Sequence, residues 1–276
     1  MEKLKNKGKR GSGSVIYQPS SRAAEYAPYA ANFYVGCSND CDYCYCKRGV
    51  LGHAMGKPFV TLKKCFKDEE DALKQFLKNL DRYLPELKQS GLFFTFTTDP
   101  MLEETRMLHW AAATHAVSKG VNVKFLTKRA DFIDALHLGD LTDEARKRIA
   151  WGFTLTGCDY MEKKSSSNAE RMAAMKRLHE MGFKTFASIE PVINPFASFN
   201  CITQTVEYCD LYKIGLLSGK RDYSRNEIDE FVEKVNDTID IAGKKVYWKD
   251  SVKEYICRDI ECSAGVSADY DLFADE

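Results

Sequence analysis

The sequence predicts an α/β protein built as a partial (β/α)6 barrel of the TIM type. Three observations predict it. Apolar runs of strand length alternate with stretches of helical periodicity along most of the 276 residues. The strand runs are apolar throughout, as in a parallel sheet covered by helices. About six such units occur, too few to close an eight-unit barrel, so the barrel is expected to stay partly open. In that architecture chemistry gathers at the C-terminal ends of the strands.

Residues 1–14 are rich in Lys and Gly, lack apolar periodicity and are expected to form a flexible tail. Gly11-Ser12-Gly13 has no strand before it and no helix signal close behind, so it does not read as a phosphate loop. Residues 15–276 contain no linker and no repeat, and are expected to form one domain. A first strand is predicted over 32–36, followed by a cysteine-rich loop. Residues 68–84 carry a helical stripe of Leu73, Phe76, Leu77, Leu80 and Leu84. A second strand follows over 92–97, a helix over 103–119, a third strand over 121–126 and a short helix over 131–137. The fourth strand is predicted over 150–155 and the next helix over 169–181, ended by Gly182 as a C-terminal cap. The fifth strand falls over 183–189, a short helix over 201–208 and the sixth strand over 211–217. A helix over 226–241, a further short strand over 246–249 and a last helical turn over 251–256 complete the alternation.

Bulk composition excludes several classes. Hydrophobic residues make up 44% and charged residues 29%, as in a soluble globular chain. The 40 basic and 40 acidic side chains cancel, so no global field pulls the protein toward nucleic acid or a membrane. No apolar run reaches the ~18 residues of a membrane span, and no apolar signal segment follows the basic N-terminus. A cytoplasmic protein with no membrane partner is the expectation. Ten cysteines are too many to ignore. A disulfide framework belongs to small secreted domains, whereas clustered cysteines in a reducing compartment bind metal or do chemistry.

Four of the ten lie between positions 37 and 46. Cys37-Ser-Asn-Asp-Cys41-Asp-Tyr-Cys44 is a C-x3-C-x2-C loop placed just after the first predicted strand. Three thiolates can hold three irons of a [4Fe–4S] cubane and leave the fourth iron without a protein ligand. That vacancy can accept the amino and carboxylate groups of S-adenosylmethionine (SAM). An electron passed to the sulfonium then cleaves a C–S bond and releases a 5′-deoxyadenosyl radical. Cys46 is close enough to be a rival ligand. A zinc site is the main alternative, but zinc sites want four ligands in paired clusters, and no second tight pair is evident.

The strand ends carry polar groups. Thr95-Phe96-Thr97-Thr98-Asp99-Pro100 closes the second strand, and Thr98 or Asp99 also suits the N-cap of the helix that follows. Lys128, in Leu126-Thr127-Lys128-Arg129 at the end of the third strand, is placed either to neutralise a carboxylate or to sit in a solvated basic turn. Thr154 and Thr156 close the fourth strand and point the same way by the two-residue period of strands. Glu190 precedes Pro191 where the fifth strand is expected to stop; a ribose contact and a structural salt bridge are both open to it.

With these residues the chain resembles the radical SAM superfamily, and more narrowly its spore photoproduct lyase-like (DNA repair photolyase-like) branch. The resemblance runs from about Ser12 to Leu217. Arg22-Ala-Ala-Glu25-Tyr26-Ala27-Pro28, leading into Asn32-Phe-Tyr-Val-Gly-Cys37, is similar to the lead-in of that branch, and Tyr45 fits its run of alternating Cys and Tyr. The resemblance implies a radical SAM core and a [4Fe–4S] cluster on Cys37, Cys41 and Cys44. It implies that Tyr43 packs near the adenine of SAM, that Thr98 and Asp99 bind its methionyl part, that Lys128 meets its carboxylate, and that Thr154 contacts it. Glu190 is a further contact. A reductant protein such as a flavodoxin or ferredoxin is implied, and nucleic acid is the implied substrate class. A peptide- or protein-modifying maturase is the runner-up. A non-catalytic iron–sulfur or zinc protein is the reading from another class.

One position departs from the pattern. The lyase of that branch has a hydrogen-donating cysteine three residues before the aspartate that matches Asp99. Phe96 stands there in this chain, so repair of the spore thymine dimer is not expected unless Cys65 or Cys158 reaches in. The other cysteines, Cys201, Cys209, Cys257 and Cys262, read as small apolar residues. Cys257 and Cys262 suit an auxiliary cluster only if two more ligands come from elsewhere.

Overall fold

The structure, a computed structural model, describes residues 14–48, 52–219 and 221–274. The expected tail lies outside the described residues except for Ser14, whose hydroxyl bonds the Asn79 side chain at 2.9 Å. The strands are β1 Ile16–Tyr17, β2 Ala30–Ala31, β3 Tyr34–Val35, β4 Thr61–Leu62, β5 Leu92–Phe94, β6 Val123–Thr127, β7 Ile149–Thr154, β8 Lys184–Val192, β9 Leu211–Leu216 and β10 Lys245–Trp248. The helices are α1 Gly52–Met55, α2 Glu69–Arg82, α3 Leu84–Ser90, α4 Arg106–Ser118, α5 Asp143–Arg146, α6 Asn168–Glu180, α7 Pro195–Thr205, α8 Arg225–Ile241 and α9 Asp250–Ile256. None of the described helices is long and apolar enough to cross a membrane.

One sheet has the order β1-β2-β5-β6-β7-β8-β9-β10. From β2 to β10 all neighbours are parallel; β1 joins the β2 edge antiparallel. The two edge strands do not pair with each other, which leaves the barrel open as expected. Strand β10 is the further short strand that the sequence predicts, and it adds a seventh parallel member. β3 and β4 form a separate antiparallel pair beside the cysteine loop.

Both faces of the sheet are buried, which explains the near-continuous apolar strands. Adjacent residues of β5 point to opposite faces. Phe94 lies in the outer layer with Phe76 of α2, Ala112 of α4, Met175 of α6 and Val232 of α8. Phe93 lies in the inner layer with Tyr26, Ala150, Phe186 and Leu272. In the outer layer Trp151 stacks between Phe125 and Phe132, each at 4.7 Å between ring centroids.

Several boundaries differ from the sequence prediction for local reasons. The strand expected over 32–36 is only β3, Tyr34–Val35; β2 lies before it at Ala30–Ala31, and between the two stands Asn32. Its Oδ1 accepts the Phe96 backbone N–H at 2.9 Å and the Thr95 hydroxyl. The same bonds end β5 at Phe94 instead of residue 97, since the Phe96 N–H is no longer available to a neighbouring strand. Residues 131–137 form turns, not a helix, and His137 adopts φ +47°, a left-handed conformation that closes them. Strand β8 continues past Pro191 to Val192, with a register irregularity between Ile189 and Val192 that accommodates the missing proline N–H. Helix α7 starts six residues before the predicted 201 because Pro195 occupies its first turn and Asn194 caps it, accepting the Ala197 N–H at 3.1 Å. Helix α6 ends as predicted at Gly182: φ is +87°, and Gly182 and Phe183 donate to the carbonyls of His179 and Leu178 in a Schellman motif.

Candidate cluster and cofactor site

The cysteine loop leaves β3 through Gly36. Its φ of +81° favours glycine, and a Cβ there would stand 2.1 Å from the Phe59 carbonyl oxygen. Cys37 then donates its N–H to the Lys57 carbonyl at 3.0 Å, and two tight turns follow, Asp40 N to Cys37 O and Cys44 N to Cys41 O. Asp40 braces them with ion pairs to Lys47 at 2.6 Å and Lys164 at 3.1 Å. Burial pushes the Cys37 thiol up to about 12 and raises Cys41 as well. Cys44 is lowered to about 6, chiefly because the Cys46 thiol donates to it. Iron binding takes all three as thiolates. Among the described residues no three metal-ligating side chains close on a single ion. Cys46 lies beside Cys44, and its Sγ is also 3.7 Å from the Phe96 carbonyl at the end of β5. Phe96 is the residue at the position where the lyase branch has its donor; Cys65 is exposed, and Cys158 is buried with its N–H on the Thr156 hydroxyl.

Opposite the loop lies the end of β5. Asp99 is not a helix cap, since α4 begins at Arg106 with Thr105 before it. Its carboxylate accepts four hydrogen bonds: Thr127 Oγ1 at 2.6 Å, Asn39 Nδ2 at 2.7 Å, Lys128 N at 2.8 Å and Met101 N at 2.9 Å. That fills its lone pairs. It also ties the cysteine loop, through Asn39, to the ends of β5 and β6. Beside it, two buried oxygens have no partner: Asn39 Oδ1 and Thr98 Oγ1.

Lys128 is not a solvated turn. Its ammonium lies 5.5 Å from the Tyr43 ring centroid and 3.5 Å from Thr154 Oγ1. Burial works against its charge, and the negative charges at Cys41 and Glu162 outweigh it, so its pKa is raised. The structure thus brings Tyr43, Asp99, Lys128 and Thr154 together beside the cysteine loop, with Thr98 preceding Asp99 in the chain.

Glu162 and Arg171 complete this group, and the sequence gives no local sign of either role. Both side chains are fully buried and pair at 2.5 Å. Tyr43 donates its hydroxyl to Glu162, Thr156 does so at 3.1 Å, and Arg171 Nη1 donates to the Thr154 carbonyl. Burial raises the Glu162 carboxyl, but Arg171 and Lys128 hold it below the usual range.

Glu190 stands apart from this group, inside the barrel. It accepts from the Tyr26 hydroxyl at 2.6 Å and from Lys249 at 2.7 Å, and Lys249 also pairs with Glu25 at 3.0 Å. Tyr26 bonds Ser188 as well, at 2.7 Å. The salt-bridge alternative for Glu190 is therefore realised. Lys213, next in this interior, donates to the Glu25 carbonyl at 2.7 Å and faces the Tyr26 and Tyr247 rings; burial lowers it to about 7.

No family model and no curated protein matches the chain. Solved structures do. The chain is similar to spore photoproduct lyase, a radical SAM enzyme, in a cysteine-to-serine variant at TM-score 0.64 and 17% identity over 84% of this chain and 79% of that one. A double variant of the lyase with bound AdoMet and dinucleoside spore photoproduct gives 0.63 and 16% over 84% and 78%. SuiB of Streptococcus suis aligns at 0.45 and 14% over 62% of this chain and 42% of that one. The fold is therefore the partial barrel of radical SAM proteins, of the spore photoproduct lyase type.

Proposed function

We propose that this chain is a radical SAM enzyme, with a [4Fe–4S] cluster on Cys37, Cys41 and Cys44 and SAM held between the cysteine loop and the ends of β5–β7. The observation that carries the reading is the convergence of the C-x3-C-x2-C loop on two buried, unpartnered oxygens, Thr98 Oγ1 and Asn39 Oδ1. The Asn39 oxygen can only accept and the Thr98 hydroxyl can accept or donate, so a methionyl ammonium is a donor that would satisfy both. The donor set suits the cluster: three thiolates on one short loop can hold three irons and leave the fourth without a protein ligand.

The bound cluster would supply the electron that cleaves the SAM sulfonium and yields a 5′-deoxyadenosyl radical. The chain's own residues bind and orient. Lys128 neutralises the SAM carboxylate, the Tyr43 ring offers a face to the adenine, and Thr154 offers a hydroxyl. Asp99, with its lone pairs filled, acts by placing Thr98, Asn39 and the Lys128 backbone. Glu190 contacts SAM only if it exchanges Lys249 or Tyr26 for the new partner. A flavodoxin or ferredoxin supplies the electron.

Nucleic acid is the proposed substrate class, because the lyase neighbours were solved with a dinucleoside photoproduct. Phe96 in place of the donor thiol separates the outcome of the reaction from that of the lyase. A peptide substrate is the second reading. The domain is proposed to span residues 15–276, in a cytoplasmic protein.

Anaerobic reconstitution with iron and sulfide, reduction by dithionite and addition of SAM tests the proposal. 5′-Deoxyadenosine is the expected product, and its absence from protein carrying an intact cluster would mean a non-catalytic iron–sulfur protein. Cys41→Ala is expected to lose the thiolate-to-iron absorbance near ~400 nm.

A further inference from the structure

The connection between β7 and α6, residues 155–167, runs along the cysteine loop and grips it at four points. Met161 O accepts the Asp42 N–H at 3.0 Å. Lys164 pairs with Asp40 at 3.1 Å. Glu162 accepts the Tyr43 hydroxyl. Ser165 Oγ lies 3.8 Å from Cys41 Sγ. Its neighbours hold Ser165 in place: its N–H donates to Glu162 O at 2.8 Å, the Ser166 N–H to Lys128 O at 3.1 Å, and Ser166 Oγ accepts the Ala130 N–H at 2.9 Å. The hydroxyl thus approaches the sulfur from a backbone fixed on both sides.

We propose that this connection clamps the cysteine loop and that Ser165 sets the reduction potential of the cluster by donating its hydroxyl to the Cys41 sulfur. The inference rests on the cluster reading above. A thiolate has no proton to give, so in the loaded protein Ser165 is the donor of the pair. Reduction adds one electron, delivered by a protein of the flavodoxin or ferredoxin class, and concentrates negative charge on the sulfurs. A hydrogen bond to sulfur stabilises that state more than the oxidised one and raises the potential. Cys41 is only 6% exposed, so little water competes for the bond.

The test is an anaerobic redox titration followed by electron paramagnetic resonance, on reconstituted wild type, Ser165→Ala and Ser165→Thr. Iron content and charge-transfer absorbance are read on the same samples. Ser165→Ala is expected to keep its iron and to shift the midpoint to a more negative potential. Ser165→Thr, which keeps the hydroxyl, is expected to return it toward wild type. A midpoint unchanged in Ser165→Ala, at equal iron content, overturns the inference and leaves the cluster reading standing. Failure of wild type to assemble a cluster overturns both.

Discussion

Asp99 joins three elements through one carboxylate, and its four donors come from the cysteine loop, its own turn and β6. Asn in its place turns an acceptor into an amide donor and sets it against N–H or O–H groups. Asp99→Asn is expected to cost about 2–4 kcal/mol in urea unfolding, the loss of two charge-assisted bonds and the burial of unmatched donors. Iron retention should fall with it, because Asn39 is released. Cys46→Ala is expected to leave iron content unchanged, since Cys37, Cys41 and Cys44 suffice for a cubane that leaves one iron open; loss of iron would make Cys46 a ligand. The cluster cysteines are legible in the sequence because they are contiguous, and the strand-end polar residues because resemblance matches them one by one. Glu162, Arg171 and Ser165 are not legible. Their roles come from pairing with Tyr43 and Cys41 more than a hundred residues away, or from burial, and no local pattern marks either.

At the scale of elements, the parallel sheet follows from its apolar runs, and the strands from β6 to β9 fall within a few residues of their predicted places. Errors gather where a side chain takes a backbone group from the ladder. Asn32 does so for β5 by taking the Phe96 N–H, and an asparagine gives no warning of which N–H it will bind. Close packing inside the barrel is the other hidden determinant. Gly152 of β7 faces the Phe186 ring of β8, and a Cβ would sit 2.1 Å from it. Gly152→Ala is expected to destabilise the barrel by about 1–3 kcal/mol, seen as a lower midpoint in thermal unfolding. An unchanged midpoint would show that Phe186 has room to turn.

For the whole molecule, one acid liability lies in the helical layer. His109 on α4 is packed among Phe33, Tyr34 and Phe94, with Nδ1 2.9 Å from the Thr105 carbonyl. Burial lowers it to about 3. The unfolded chain takes up this proton near pH ~6.5 and the folded chain does not. Stability is full above that pH and falls as the pH drops toward the folded value, by about 2 kcal/mol at pH 5. His109→Leu is expected to flatten this part of the profile of urea unfolding against pH.

The central claim is that three cysteines leave one iron of a cubane free for SAM. Electron–nuclear double resonance on the dithionite-reduced protein, with SAM carrying 15N in its amino group, tests it most directly. A 15N coupling to the cluster that vanishes when unlabelled SAM is used is the predicted result. A fully formed, reduced cluster with no 15N coupling would contradict it.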